Sequence, residues 1–392
     1  MAEWKECLLS DLGTVVGGAT PSTKNPANYE GGTISWITPK DLADFKGRYI
    51  ARGERMITDA GLSSCSTQLM PEHSVLFSSR APIGYVAIAA NELCTNQGFK
   101  SVVPNERTDY LFLYYLLRYY KDAIENLGSG TTFKEVSGST MRNVKVKVPV
   151  LFSEQKKIAS VLGAIDDKIE ENERINNNLL QQAQAVFAKE FLSFDTTPEG
   201  WKESSLLGIA DYLNGLAMQK FRPKDGENGL PVLKIKELRQ GSCDASSELC
   251  SPSIKKEYIV HDGDVIFSWS GSLLVDFWCG GTCGLNQHLF KVTSTSFDKW
   301  FYFAWTDHHL QKFAAIAADM ATTMGHIKRE ELAKAEVLVP PQAEYERIGG
   351  LLAPIYDLVV ANRIENRKLA TLRDELLPRL MSGDLDVSEV PL

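Results

Sequence analysis

Two stretches of this chain carry an apolar stripe whose members are spaced alternately four and three residues apart. The first runs Ile158, Leu162, Ile165, Ile169, Asn172, Asn176, Leu179, Ala183, Val186; the second runs Ile348, Leu352, Ile355, Val359, Asn362, Asn366, Leu369, Arg373, Leu376. That spacing is the seam of a coiled coil and predicts two long helices, one over residues 152–195 and one within residues 342–392. The stripes match position for position, polar interruption included, so the two helices are expected to pair with each other. Asparagine in a seam costs stability but fixes register, because a slipped partner leaves an amide unpaired. A helix of about 34 residues is on the order of 50 Å long, which suits a spacer. Pro354 is expected to kink the second helix in its first turns and Pro378 to end it.

The remaining segments, 1–151 and 196–341, change period. Short runs such as TISWIT, SVLFSS, GYVAIA and VKVKVPV alternate or are wholly apolar, and Gly, Pro and Asn punctuate them, which predicts β-strands and turns. One helical stretch closes each segment, DYLFLYYLLRYYKDAIENL and FDKWFYFAWTDHHLQKFAAIA. The fold class expected is therefore α+β: two strand-rich domains at 1–151 and 196–341, joined by two long helices at 152–195 and 342–392.

These two halves are copies. VLFSSRAPIGYVAI from Val75 returns as VIFSWSGSLLVDFW from Val265, and Asn96-Gln97 returns as Asn286-Gln287. The stretch ending at Pro149 is echoed by the one ending at Pro340, EQKKI by EYERI, and Trp4-Lys5 by Trp201-Lys202. A single internal duplication thus organises the whole chain.

Composition narrows the class. The chain has 392 residues, 44% of them hydrophobic and 23% charged, enough for two cores and incompatible with disorder. It contains no apolar run of the roughly 18 residues that span a bilayer, and MAEWKECLLS does not read as a signal peptide, so a cytoplasmic protein with free thiols is expected. The net charge of −8 at first disfavours a polyanionic partner. Its distribution changes that reading: Lys plus Arg against Asp plus Glu is 16 to 15 over residues 1–151 and 15 to 17 over 201–341, but 5 to 9 over 152–200 and 6 to 9 over 342–392. Most of the acidic excess lies on the helices, which face protein.

The order and duplication of these phrases resemble the DNA-specificity subunits of type I restriction-modification systems. The resemblance covers essentially the whole chain and rests on GGATPSTKNPANYEGGTISWITPKDL, TNQGFKSVVP, SGTTFKEVSGSTMRNVKVKVPVLFSEQKKIASVLGAIDDKIEENERINNNL and LLPRLMSGDLDV. It implies that each domain recognises half of a bipartite target in double-stranded DNA, and that the helices run antiparallel as spacer and docking surface. It also implies two modification subunits that methylate adenine with S-adenosylmethionine, and restriction subunits that use ATP and magnesium. No cofactor and no catalytic centre would then belong to this chain.

A DNA reader needs cations for phosphates and Arg, Lys, Asn, Gln or Ser for base edges. In the first domain the candidates are Lys24, Arg48, Arg52, Arg55, Ser78, Ser79, Arg80, Thr132 and Lys134. In the second they are Lys220, Arg222, Lys234, Lys236, Arg239, Ser268, Ser270, Thr323, His326 and Lys328. The recurring Asn-Gln pairs are expected to serve turns, because readers of different sequences share them.

Other chemistries lack their motifs. Cys243, Cys250, Cys279 and Cys283 depart from the C-x2-C zinc knuckle and have no counterpart in the first half, so no metal is expected. No G-x-x-x-x-G-K-[ST] phosphate loop occurs, nor the Asn-Pro-Pro-Tyr tetrapeptide of adenine methyltransferases. The alternative reading is a non-catalytic protein-binding scaffold of the same architecture, which need not show the salt-dependent DNA affinity of a true reader.

Overall fold

A computed structural model describes residues 3–130, 134–319 and 328–387. The chain divides into two units: residues up to Glu170 with those from Leu369 onward, and residues Glu171–Lys368.

In unit 1 the strand Trp4–Leu8 pairs antiparallel with Lys145–Pro149. A five-stranded sheet follows in the order Gly13–Gly17, Lys100–Pro104, Val75–Ser79, Ile83–Ala89, Tyr49–Ile50, beside a smaller sheet of Met56–Ile57, Ile34–Ile37 and Cys94–Thr95. Unit 2 repeats this sheet for sheet. Lys202–Ser205 pairs with Glu336–Val339, and a four-stranded sheet runs Asp211–Asn214, Leu289–Thr293, Val265–Ser268, Leu274–Phe277. The counterpart of the smaller sheet, here also four-stranded, is Leu249–Cys250, Leu230–Leu233, Cys283–Leu285, Ile259–Val260. Even the one parallel pair within each smaller sheet recurs, Trp36 opposite Cys94 and Val232 opposite Gly284. The α+β reading therefore holds in both halves. The first closing helix is divided into Tyr110–Tyr119 and Lys121–Asn126, whereas the second is continuous over Lys299–Asp319.

The long helices span Phe152–Phe191 and Gln342–Ser382. Within each unit a part of one lies antiparallel to a part of the other. In unit 1, Asp166 meets Arg373, and Ile158 and Leu162 share a core with Leu376, Leu380 and Met381. In unit 2, Asn172 meets Glu365 and Asn366, Asn176 meets Asn362, and Glu190 meets Arg347. Residue numbers rise on one helix as they fall on the other.

Pairing is only part of what the seam residues do. Ile158 and Leu162 also pack on Phe112 and Leu116 of the first domain, while Ile348 and Leu352 join Ala183, Phe187 and Phe191 in a core with Phe301 and Trp305 of the second. Each domain core is thus completed by two helix segments distant in sequence. Fully burying one such Leu or Ile contributes about 1.5–3 kcal/mol, enough for a few of them to tie a helix end to its sheet.

One expectation fails here. Pro378 does not end the second helix, which continues to Ser382. Its missing N–H costs one hydrogen bond near the terminus, and the buried Leu376, Leu380 and Met381 on either side hold that last turn against the core.

Candidate nucleic-acid interface

In unit 2 the chain forms a cleft of about 600 Å³, lined by Gln219, Arg222, Lys234, Lys236, Glu248, Ser270, Gln287 and His288 among others. Three local structures aim these side chains. Lys234 precedes the short helix Ile235–Gln240; its N–H donates to Glu237 Oε2 at 3.2 Å, and Gly241 ends the helix in the left-handed conformation with φ 76°. Asn286 accepts from the His288 N–H at 3.2 Å, turning the chain between two strands so that Gln287 and His288 project at the strand ends. Gln219 and Arg222 come from the turn at Met218–Lys220 and the residues after it.

The cations of this cleft are already paired. Lys234 Nζ lies 2.7 Å and Arg222 Nη1 3.4 Å from Glu248, whose carboxyl is held below the ordinary range by the Lys234 hydrogen bond first of all. Lys236 donates to Ser246 Oγ at 3.0 Å and lies 3.6 Å from Asp244, a carboxyl lowered chiefly by its hydrogen bonds to Ser246. His288 sits between two partners, Ser270 Oγ at 3.3 Å from Nδ1 and Gln287 Nε2 at 3.3 Å from Nε2. An amide nitrogen only donates, so these partners assign the proton to Nδ1 and leave the Gln287 carbonyl oxygen free of His288. Trp269 stands nearby, its indole N–H donating to Asn214 at 3.2 Å and its ring 6.4 Å from that of His288.

Unit 1 builds the corresponding place from different groups. Asn96 accepts from the Gly98 N–H at 2.8 Å, and the Thr20 hydroxyl donates to the Gln97 carbonyl oxygen. Lys40 pairs with Glu54 at 2.8 Å, in the manner of Lys234 and Glu248. Asp41 holds this segment by accepting from Thr38 N, Thr38 Oγ1 and Glu54 N at 2.7, 2.6 and 2.7 Å. Arg55 stacks 4.1 Å over the ring of Tyr29. Arg80 and Lys100 converge on Glu135 at 3.3 and 3.5 Å.

Of the residues singled out from the sequence, Arg222, Lys234 and Lys236 meet in one cleft, while Ser270 is buried in its wall with its hydroxyl on His288. Lys24, Arg52, Arg55, Lys134, Lys220, Arg239 and Lys328 are exposed, and Arg80 is half-buried beside Glu135. Four candidates are corrected. Arg48 is buried, and its guanidinium is spent on Asp167 and on Glu170 at 2.9 Å, both on the first long helix, with Gly163 O at 3.5 Å. Ser78 and Ser79 lie inside the central sheet strand; Ser78 Oγ donates to Pro82 O at 2.8 Å and accepts from Tyr85 N at 2.8 Å. Ser268 is likewise buried, donating to Ser270 O. Thr132, Thr323 and His326 lie outside the described residues.

Sequence reasoning passed over Gln219, Glu248 and His288, and Thr20 and Lys40 in unit 1, and assigned Gln287 and Gln97 to turns. The signal was partly there: the repeated Asn-Gln pair marks the place, but Asn makes the turn and Gln faces the cleft. Of the four cysteines of unit 2, Cys243 and Cys283 share one packing cluster, and Cys250 and Cys279 fall in two others.

A duplicated α+β domain, each copy completed by antiparallel helix segments, with a cleft of Gln, Lys, Arg and His in unit 2, defines a modular architecture. The crystal structure of a type I restriction-modification S subunit from M. genitalium shares this fold, with a TM-score of 0.61 at 13% identity, covering 97% of this chain and 96% of that one. A family model, the type I restriction modification DNA specificity domain, matches residues 1–181 and again 198–373. This chain belongs to that family, the DNA-specificity subunits of type I restriction-modification systems. It is 32% identical over 412 residues to the MjaIX specificity subunit of Methanocaldococcus jannaschii, covering 99% of this chain and 95% of the relative. It is also 28% identical over 174 residues to the EcoR124I/EcoR124II specificity subunit of Escherichia coli, 42% of this chain and 41% of that one.

Proposed function

We propose that the two units each read one half of a bipartite, asymmetric site in double-stranded DNA, and that the chain does so without chemistry of its own. In this reading two modification subunits and the restriction subunits dock against it, and S-adenosylmethionine, ATP and magnesium act on those subunits. The observation that carries the proposal is the cleft of about 600 Å³ in unit 2, where Arg222, Lys234, Gln219 and Gln287 converge. Arg and Lys match the two acceptors of guanine and Gln matches the donor and acceptor of adenine, each good bidentate pair being worth about 1–3 kcal/mol of discrimination.

The paired charges support selectivity over mere affinity. Lys234 leaves Glu248 at a cost unless another acceptor replaces that carboxylate, so a base edge with the right acceptors competes and a wrong one does not. Because unit 1 carries different side chains at the place that corresponds to the unit 2 cleft, the half-sites the two units read would differ.

The experiment is a footprint of the chain assembled with its modification partner. Protection of a split sequence with two unlike halves is expected, with affinity that falls steeply as salt rises. A complex that binds all sequences equally, or whose DNA affinity ignores salt, would overturn the reading.

A further inference from the structure

At one place where a domain helix meets the long helices, the two repeats carry opposite chemistry. In unit 1, Arg373 lies 2.7 Å from Asp166 and 2.8 Å from Asp374. Arg118, on helix Tyr110–Tyr119, lies 3.8 Å from Asp166 and 4.0 Å from Asp374. Tyr115 donates to Asp166 at 2.6 Å. Two arginines and two carboxylates neutralise one another there. Asp109 and Asp298 immediately precede the corresponding domain helices, and aligning them sets Arg118 against Asp307. The seam register sets Arg373 against Ala183, Asp374 against Gln184 and Asp166 against Tyr356. Unit 2 therefore has a carboxylate at this place and neither arginine.

What unit 2 holds instead is an open pocket of about 340 Å³, lined by Asp307, Gln184, Phe187, His308 and Tyr356 among others. Asp307 is largely withdrawn from water; burial pushes its carboxyl above the ordinary range, and a hydrogen bond with Gln184 offsets only part of that. No Lys or Arg lies within ion-pair distance of it among the described residues. Burial lowers His308, so its imidazole is neutral and supplies no counter-charge at neutral pH. A desolvated carboxylate above aromatic walls is complementary to a flat cation with an apolar stem.

We propose that this pocket receives an arginine side chain of a partner polypeptide, its guanidinium on Asp307 and its stem along Phe187 and Tyr356. The assignment rests on the reading that other subunits dock on this chain. Arginine fits better than lysine because its planar group pairs with a carboxylate through two N–H donors and stacks on aromatic faces. Unit 1 meets the same need from within, using Arg118 and Arg373.

Calorimetric titration of the full chain with n-propylguanidinium tests the pocket. One saturable site is expected, weakened about tenfold or more by Asp307→Asn and abolished by Asp307→Arg, which installs the cation that unit 1 has at this position. The exposed control Asp195→Asn should leave it unchanged, and an unaltered urea midpoint shows each variant folded. Absence of saturable binding, or binding indifferent to both Asp307 substitutions, overturns the proposal. Co-expression with the modification subunit then tests the source: Asp307→Asn should weaken assembly about tenfold, and the probe should compete with it. Assembly untouched by the substitution while the probe still binds would refute the partner's arginine alone. Failure of the unaltered chain to assemble at all would remove the docking reading and this assignment together.

Discussion

Glu248 stands between Lys234 and Arg222, and in the proposed reading its charge sets how readily those cations turn to DNA. Replacing it by Gln frees both. Affinity for unrelated DNA should rise while the ratio of cognate to unrelated affinity falls, by about tenfold, since the cations then engage phosphates without needing a matching base edge. Binding titrations against both DNAs at several salt concentrations check this; an unchanged ratio would count against the cleft. Gln287 is the complementary case. Gln287→Ala should cost about 1–3 kcal/mol of discrimination at one half-site and leave the other half intact, as methylation mapping of sites differing in either half would show. Arg48 illustrates the opposite fate of a basic residue. Its charge suggested a DNA contact, but burial against Asp167 and Glu170 makes it a latch between the first domain and the first long helix. No local sequence signal distinguishes the two roles, because the carboxylates that decide it lie more than a hundred residues away.

At the scale of elements, the seam asparagines form a mutual pair: Asn362 Nδ2 donates to Asn176 Oδ1 at 2.9 Å, and Asn176 Nδ2 reaches Val359 O at 3.4 Å. Substituting Asn176 alone by Leu strands a buried amide and should lower unfolding free energy by about 1–3 kcal/mol. Replacing Asn362 as well should recover much of that loss, because no polar group is then left unpaired; urea unfolding of the single and double variants decides it. A second element-scale contact responds to pH. Arg367 bonds Asp262 at 2.7 Å and, as the largest cause, holds its carboxyl below the ordinary value. A depressed carboxyl contributes stability that is fully present above about pH 4, the unfolded value, and is lost as pH falls through the lower folded value. Arg367→Met should therefore flatten the acid limb of stability against pH, measured by thermal melts between neutral and acid pH. The seam stripe and its register were legible in the sequence, since a 3.5-residue period is local. That the same residues also enter two domain cores was not, because the stripe does not say what else lies against it.

For the whole molecule, duplication is the controlling fact. Each unit takes its strands from one repeat and its closing helix segments from both long helices, so neither repeat as a continuous piece of chain contains its full core. The proposed reading makes the helix length a determinant of the recognised site. Inserting seven residues at matched positions in both long helices adds about 10 Å, the rise of roughly three base pairs, and should lengthen the gap between half-sites accordingly. Methylome sequencing of cells carrying the lengthened chain reads that gap directly, and an unchanged spacing would contradict it.

The sequence alone determined the duplication, the α+β character of each half, the two long helices and their matched seams, because each of these follows from periodicity and self-similarity, which any reader of the chain can see. Only the tertiary structure decided which polar residues face a cleft and which are consumed inside. Arg48, Ser78, Ser79 and Ser268 went inward, and Gln219, Gln287 and His288 came to the cleft, through pairings between segments far apart in the chain. Burial and hydrogen-bond partnership are properties of such pairings, and a side chain's chemical type does not contain them.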